Sequence, residues 1–170
     1  MGYIHDTHMS QVIPPTLFHC VTGTWSIAAG QVAGTIVKRV NDANQTGIVN
    51  VPIILPSNSV AGKGSKLVSI EVDYEITVAA VVVTATLNKV TRGADTAVAV
   101  VSAPTFTYDA GHDTAAERDD VDQHLMTITI TTPAYLDNDE YYLLELSCDQ
   151  AGDGGLIEFL GAVANYTLRL

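Results

Sequence analysis

The stretch KLVSIEVDYEITV, Lys66 to Val78, places Val68, Ile70, Val72, Tyr74, Ile76 and Val78 on one parity and Ser69, Glu71, Asp73, Glu75 and Thr77 on the other. A helix would spread these apolar groups around its circumference, whereas a strand turns successive side chains to opposite faces and gathers them on one side. The segment therefore reads as a long strand with one face in a core. The same alternation returns in VVVTATLNKVT (81–91), HLMTITI (124–130), EYYLLELSC (140–148) and LIEFLGAVANYTL (156–168). Period-2 segments separated by turn residues predict an all-β chain, an antiparallel β-sandwich. The expected core is Val68, Ile70, Val72, Tyr74, Ile76, Ile128, Ile130, Leu144 and Leu146.

Working outward, the N-terminal half carries shorter strand patterns at 18–21, 24–28, 35–40 and 49–55. Between them lie Gly30, Gly34, Asn41 to Gln45 and Gly47, which is turn chemistry. Pro52 and Pro56 lack an N–H for a ladder bond, which places 51–56 at a sheet edge. TRGAD (91–95), LDNDE (136–140) and AGDGG (151–155) read as turns. Thr114 and Glu117 stand three apart as a capping box, so 113–122 is the one short helical insertion, a turn or two long. This pattern predicts a jelly-roll-like arrangement. Residues 1–16 show no period and end in Pro14-Pro15, so they read as an extended N-terminal arm. Residues 17–170 form a single β-sandwich domain. The apolar arm residues Tyr3, Ile4, Met9, Val12 and Ile13 are the candidate partner-binding residues, since a purely solvated linker seldom carries so many.

The 170 residues fit one domain. Eight Lys and Arg against 19 Asp and Glu give a formal net charge of −11. A surface of that sign repels phosphate backbones and anionic lipid heads, which argues against nucleic-acid and membrane partners and suits a basic partner surface. No apolar run approaches the roughly 20 residues of a membrane span, and the start lacks a signal-peptide order, so the chain reads as soluble and not exported by the usual route. Cys20 and Cys148 are the two cysteines, far apart and beside apolar residues, and read as free thiols.

Chemistry-bearing motifs are sparse. No phosphate loop, paired metal-binding histidines at helical spacing or nucleophile elbow is present, so no enzyme activity and no cofactor are expected. His112, Asp113, Glu117, Asp119, Asp120, Asp122 and His124 form the densest polar cluster, either a cation site or a solvated acidic face; the latter explains it as well. His5, Asp6 and His8 offer two imidazoles and a carboxylate on the arm without a fixed further ligand. Asp137 to Glu140 and the Asp149/Asp153 pair are read as turn formers before calcium ligands. Trp25, Tyr74, Tyr142, Phe159 and Tyr166 are aromatic, but the last four carry buried parity, leaving little for a sugar-stacking platform. Val81-Val82-Val83 and Tyr141-Tyr142-Leu143-Leu144 are apolar on both parities, which predicts an outward face covered by another subunit.

The order of LVSIEVDYEITVAAVVVTATLNKVT (67–91), AERDDVDQHLMTITITTPAYLDNDEYYLLEL (116–146) and GLIEFLGAVANYTL (155–168) resembles small jelly-roll capsid decoration, or cement, proteins of tailed bacteriophages. The resemblance covers about 100 residues and rests on strand patterns and turns. It implies a virion structural protein without catalysis, made in the host cytoplasm and placed on the capsid exterior. There it would assemble as a homotrimer and brace the major capsid protein. An alternative of a different class is a carbohydrate- or receptor-binding jelly-roll module.

Overall fold

The computed structural model describes residues 5–29, 33–39, 46–58, 62–78, 81–93, 99–150 and 156–169. Tyr3 and Ile4, together with the expected turns at 41–45, 79–80 and 151–155 and the 94–95 end of the turn at 91–95, lie outside the described residues. The strands are β1 (Thr7–Ile13), β2 (His19–Thr22), β3 (Trp25–Ala29), β4 (Ala33–Arg39), β5 (Gly47–Ile53) and β6 (Gly64–Val78). They continue with β7 (Val81–Thr91), β8 (Val100–Ser102), β9 (Phe106–Tyr108), β10 (Gln123–Ile130), β11 (Glu140–Gln150) and β12 (Leu156–Arg169). One helix, α1 (Ala115–Arg118), interrupts them, and a 3-10 turn at Pro15–Leu17 follows β1.

Two antiparallel sheets pack face to face. One runs β3-β4-β12-β6-β10-β9 with β1 also paired to β12, and the other runs β2-β5-β11-β7-β8. Lettering β4, β5, β6, β7, β8, β10, β11 and β12 as B to I in chain order gives B-I-D-G opposite C-H-E-F, the strand order of a jelly roll. Of the remaining four strands, β2, β3 and β9 extend the sheets at their edges, and β1 pairs with β12. Between the sheets lie Ile70, Val72, Tyr74, Ile76, Met126, Ile128 and Phe159 from one side and Val49, Val51, Leu87, Tyr142, Leu144 and Leu146 from the other, all at most 1% exposed.

The core expectation holds for every named residue except Val68, which is only half-buried, while Leu67 takes the inward place. The reason is a register shift between β12 and β6: Asn165 faces Ser69 but Tyr166 faces Leu67. One extra residue in a ladder reverses which parity points inward. The edge assignment for Pro52 also changes. β5 is flanked by β2 and β11, but β2 is four residues long and its pairing stops at Asn50. Pro52 opposite Leu143 therefore lies beyond the reach of β2 and breaks no ladder bond there.

The projecting arm is corrected for the residues described. Thr7–Ile13 pairs residue for residue with Ala162–Leu168 of β12, and Ile13 is a core side chain. Met9 and Val12 stay exposed. The start of β1 is further held by Asp6, whose carboxylate accepts from Arg169 Nε at 2.6 Å and Nη2 at 3.1 Å and lies 3.4 Å from Lys66 Nζ. The hydrogen bond from Arg169 is the main reason that this carboxyl sits below the usual range. Gly161 makes the geometry possible. Its φ of +152° sits at a shift in β12, after the residues that pair with β4 and before those that pair with β1, and an added Cβ would approach the Ile13 carbonyl oxygen.

Candidate functional site

The expected polar cluster exists, but its members divide between a buried network and the surface. The capping box forms as the sequence predicts: Thr114 Oγ1 accepts from Glu117 N–H, and Glu117 Oε2 accepts from Thr114 N–H at 2.9 Å. The helix it starts is a single turn, shorter than the 113–122 expected. That turn points Arg118 inward. Its Nε donates to the Val83 carbonyl of β7 at 2.8 Å, its Nη1 donates to the His112 carbonyl at 2.6 Å, and its guanidinium lies over the Tyr108 ring. A buried guanidinium needs such acceptors, and here backbone carbonyls and a ring face supply them.

Beneath Arg118 sit the two imidazoles. His124, on the inward face of β10, stacks on Tyr74 of β6 with centroids 4.6 Å apart and planes 8° apart. Its Nδ1 is 3.2 Å from His112 Nε2, and its Nε2 is 2.8 Å from the Asp120 carbonyl oxygen. His112 Nδ1 is 2.8 Å from Asp109 Oδ1. Asp109 also accepts from Thr127 N–H at 2.6 Å and Gly111 N–H at 3.0 Å. Partial burial alone would raise its carboxyl, but these hydrogen bonds outweigh burial and hold it below the ordinary carboxylate range. Burial pushes the Tyr74 hydroxyl well above its ordinary value.

The carboxylates of the cluster do not converge. Asp113 and Glu117 pair at the exposed helix start, where the Glu117 contact raises Asp113. Asp120 contributes its carbonyl, and Asp122 caps Gln123 N–H through Oδ1 while its carbonyl accepts from Ile76 N–H. Among the described residues no three His, Cys, Asp or Glu side chains are arranged to hold a metal ion. The sequence does not single out Asp109 or Arg118, and it marks Tyr74 only as a core residue. The one local signal is Asp109 three residues before His112; the others arrive by folding.

The other candidates resolve into structure. Asp6 of the His5/Asp6/His8 group is occupied by Arg169 and Lys66. Glu140 accepts from Asp137 N–H and pairs with Lys89 Nζ at 2.7 Å, which is turn and cross-strand chemistry. The Asp149 side chain and Asp153 lie outside the described residues. Neither cysteine forms a disulfide; Cys148 is buried and Cys20 half-buried, where desolvation pushes the Cys20 thiol up. Trp25 donates Nε1–H to the Thr22 carbonyl at 2.7 Å and packs against Phe159. Among the described residues no Phe, Trp or Tyr is exposed, and Trp25, Phe106, Tyr108, Tyr135 and Tyr141 are half-buried.

What the surface offers instead is apolar. On the outer face of the seven-stranded sheet, Val12, Leu125, Leu160 and Val163 line one shallow hollow of about 220 Å³ together with Glu71 and Asp73. The register explains the grouping: Val12 faces Val163, Val163 faces Glu71, and Leu125 faces Asp73. Val12 is 73% and Leu125 60% exposed, on positions where an outward strand face ordinarily carries polar groups. On the other sheet, Ile54 is exposed beside half-buried Pro52 and Tyr141, and these line a second hollow. The doubly apolar stretches at 81–83 and 141–144 are half-buried on their outward parity. Compared with known proteins, the sequence matches no protein-family model and no curated protein.

Proposed function

We propose that this protein is a non-catalytic structural module that assembles through the outer face of its seven-stranded sheet. Specifically, it decorates the exterior of a virus capsid as a homotrimer bound to the major capsid protein. The observation that carries the reading is the Val12, Leu125, Leu160, Val163 hollow. Neighbouring apolar side chains on an outward sheet face lose solvation free energy unless a partner covers them, and an apolar centre with a polar rim is the usual anatomy of an interface. Glu71 and Asp73 supply the polar rim here. Further support comes from the resemblance of the three strand segments to phage decoration proteins and from a strand order that recurs in capsid proteins.

Co-sedimentation tests it. Purified protein mixed with capsids stripped of decoration should pellet with them, and Leu125→Lys should weaken that attachment by about tenfold or more, as loss of a central apolar contact does. Failure of the unaltered protein to pellet with any such capsid rejects the decoration role.

A further inference from the structure

We propose that the buried His112–His124 pair holds one proton more than two neutral imidazoles carry, and that loss of this proton with rising pH releases the loop that closes this end of the sandwich. A count of hydrogens requires the extra proton. Three contacts run in a chain: Asp109 Oδ1 to His112 Nδ1 at 2.8 Å, His112 Nε2 to His124 Nδ1 at 3.2 Å, and His124 Nε2 to the Asp120 carbonyl oxygen at 2.8 Å. A carbonyl oxygen only accepts, so His124 Nε2 must donate. Asp109 already accepts two backbone N–H groups as a carboxylate, so His112 Nδ1 must donate as well. A neutral imidazole carries one N–H. Both are then spent at the ends of the chain, and the central contact would set two lone pairs against each other. A third proton, shared between His112 Nε2 and His124 Nδ1, turns that repulsion into a charge-assisted hydrogen bond.

The surroundings suit a proton better than a metal ion. Two imidazole nitrogens 3.2 Å apart could share a cation, but among the described residues no third His, Cys, Asp or Glu side chain joins them, and the Arg118 guanidinium is bonded to the His112 carbonyl. At the pair itself lie Asp109, bonded to His112, Tyr74 from β6, stacked on His124 and near His112, and Asp73 from β6, which lines a surface hollow with His124. One step further out, Arg118 from α1 donates to the His112 carbonyl and lies over Tyr108 of β9, and Cys148 of β11 acts on Tyr74. The loop itself adds Asp113, Glu117, Asp119, Asp120 and Asp122. Asp109 and Arg118 offset each other, and the five loop carboxylates favour one added positive charge.

The direction follows from linkage. A proton held by the closed loop and not by the opened chain makes closure weaken as pH rises, by up to tenfold per pH unit for one proton. Opening would detach the loop from Ile76 N–H, the Val83 carbonyl and Tyr74.

Nitrogen-15 NMR of the intact protein at about pH 7 tests the count. Three ring N–H hydrogens are expected across His112 and His124; two would overturn the proposal. Hydrogen exchange of the 111–122 amides, referred to intrinsic rates, should speed by about tenfold or more between about pH 6.5 and 8.5. His124→Phe keeps the stack on Tyr74 and removes the need for the third proton, so its profile should be flat. An equal pH dependence in His124→Phe, or a stoichiometric tightly bound metal found by elemental analysis of the unaltered protein, would also overturn it. The NMR count decides the matter even where the variant fails to fold.

Discussion

At the scale of single residues, the molecule separates side chains that set the fold from those that complete it. Leu67 and Val68 are adjacent and both apolar, yet the shift between β6 and β12 puts only Leu67 in the core. Leu67→Ala should cost about 2–5 kcal/mol in denaturant unfolding, while Val68→Ala should cost less than about 1.5 kcal/mol. Equal losses would place both against the core and remove the bulge. Glu140 gives a pH signature on the acid side. Burial raises its carboxyl, but Lys89, the Asp137 N–H and Thr91 hold it below the ordinary range. A group so depressed contributes stability above the ordinary carboxylate range, about 4.3 for Glu, and loses it as pH falls through its folded-state value. Glu140→Gln should therefore lower the melting temperature at neutral pH and narrow the difference from the unaltered protein near pH 3. Alternation identifies Ile70, Val72, Tyr74 and Ile76 as core from the sequence alone, because face is a local property. It misplaces Val68 because a bulge depends on the partner strand. The meeting of Asp109, Arg118 and Tyr74 with His112 and His124 escapes it for the same kind of reason: three separate segments converge there.

At the scale of elements, the capping box and the first strand make opposite points. Thr114 and Glu117 are three residues apart, so their reciprocal bonds are legible in the sequence, and Thr114→Ala should cost about 1 kcal/mol. The strand Thr7–Ile13 is not legible there as part of the sheet. Its partner lies some 150 residues away in β12, and its own alternation is weak, with only Ile13 buried among its seven residues. Deleting residues 1–13 should accordingly lower the melting temperature, since it uncovers an edge of β12, removes a buried Ile and strips Arg169 of Asp6. Differential scanning calorimetry that shows no change would return these residues to the role of a dispensable arm. Pro52 carries a related lesson. A proline excludes a ladder bond only where a neighbour reaches it, and β2 is too short to do so.

At the scale of the whole molecule, the jelly-roll order arises from pairings between strands distant in sequence, such as β4 with β12 and β5 with β11, which periodicity predicts as strands but cannot pair. The same topology sets Val12 from one end of the chain beside Val163 from the other and brings Leu125 from β10 to the same hollow. If this face is an assembly surface, its apolar groups serve a partner and are dispensable to the fold. Val12→Lys with Leu125→Lys should leave the melting temperature of the isolated fold nearly unchanged, as exposed substitutions do, while breaking association. Sedimentation equilibrium of the purified protein at micromolar concentration tests this most directly. The account predicts a mass near three times 18.0 kDa that falls toward one chain in the double variant. A single-chain mass for the unaltered protein, or a trimer indifferent to both substitutions, would contradict it.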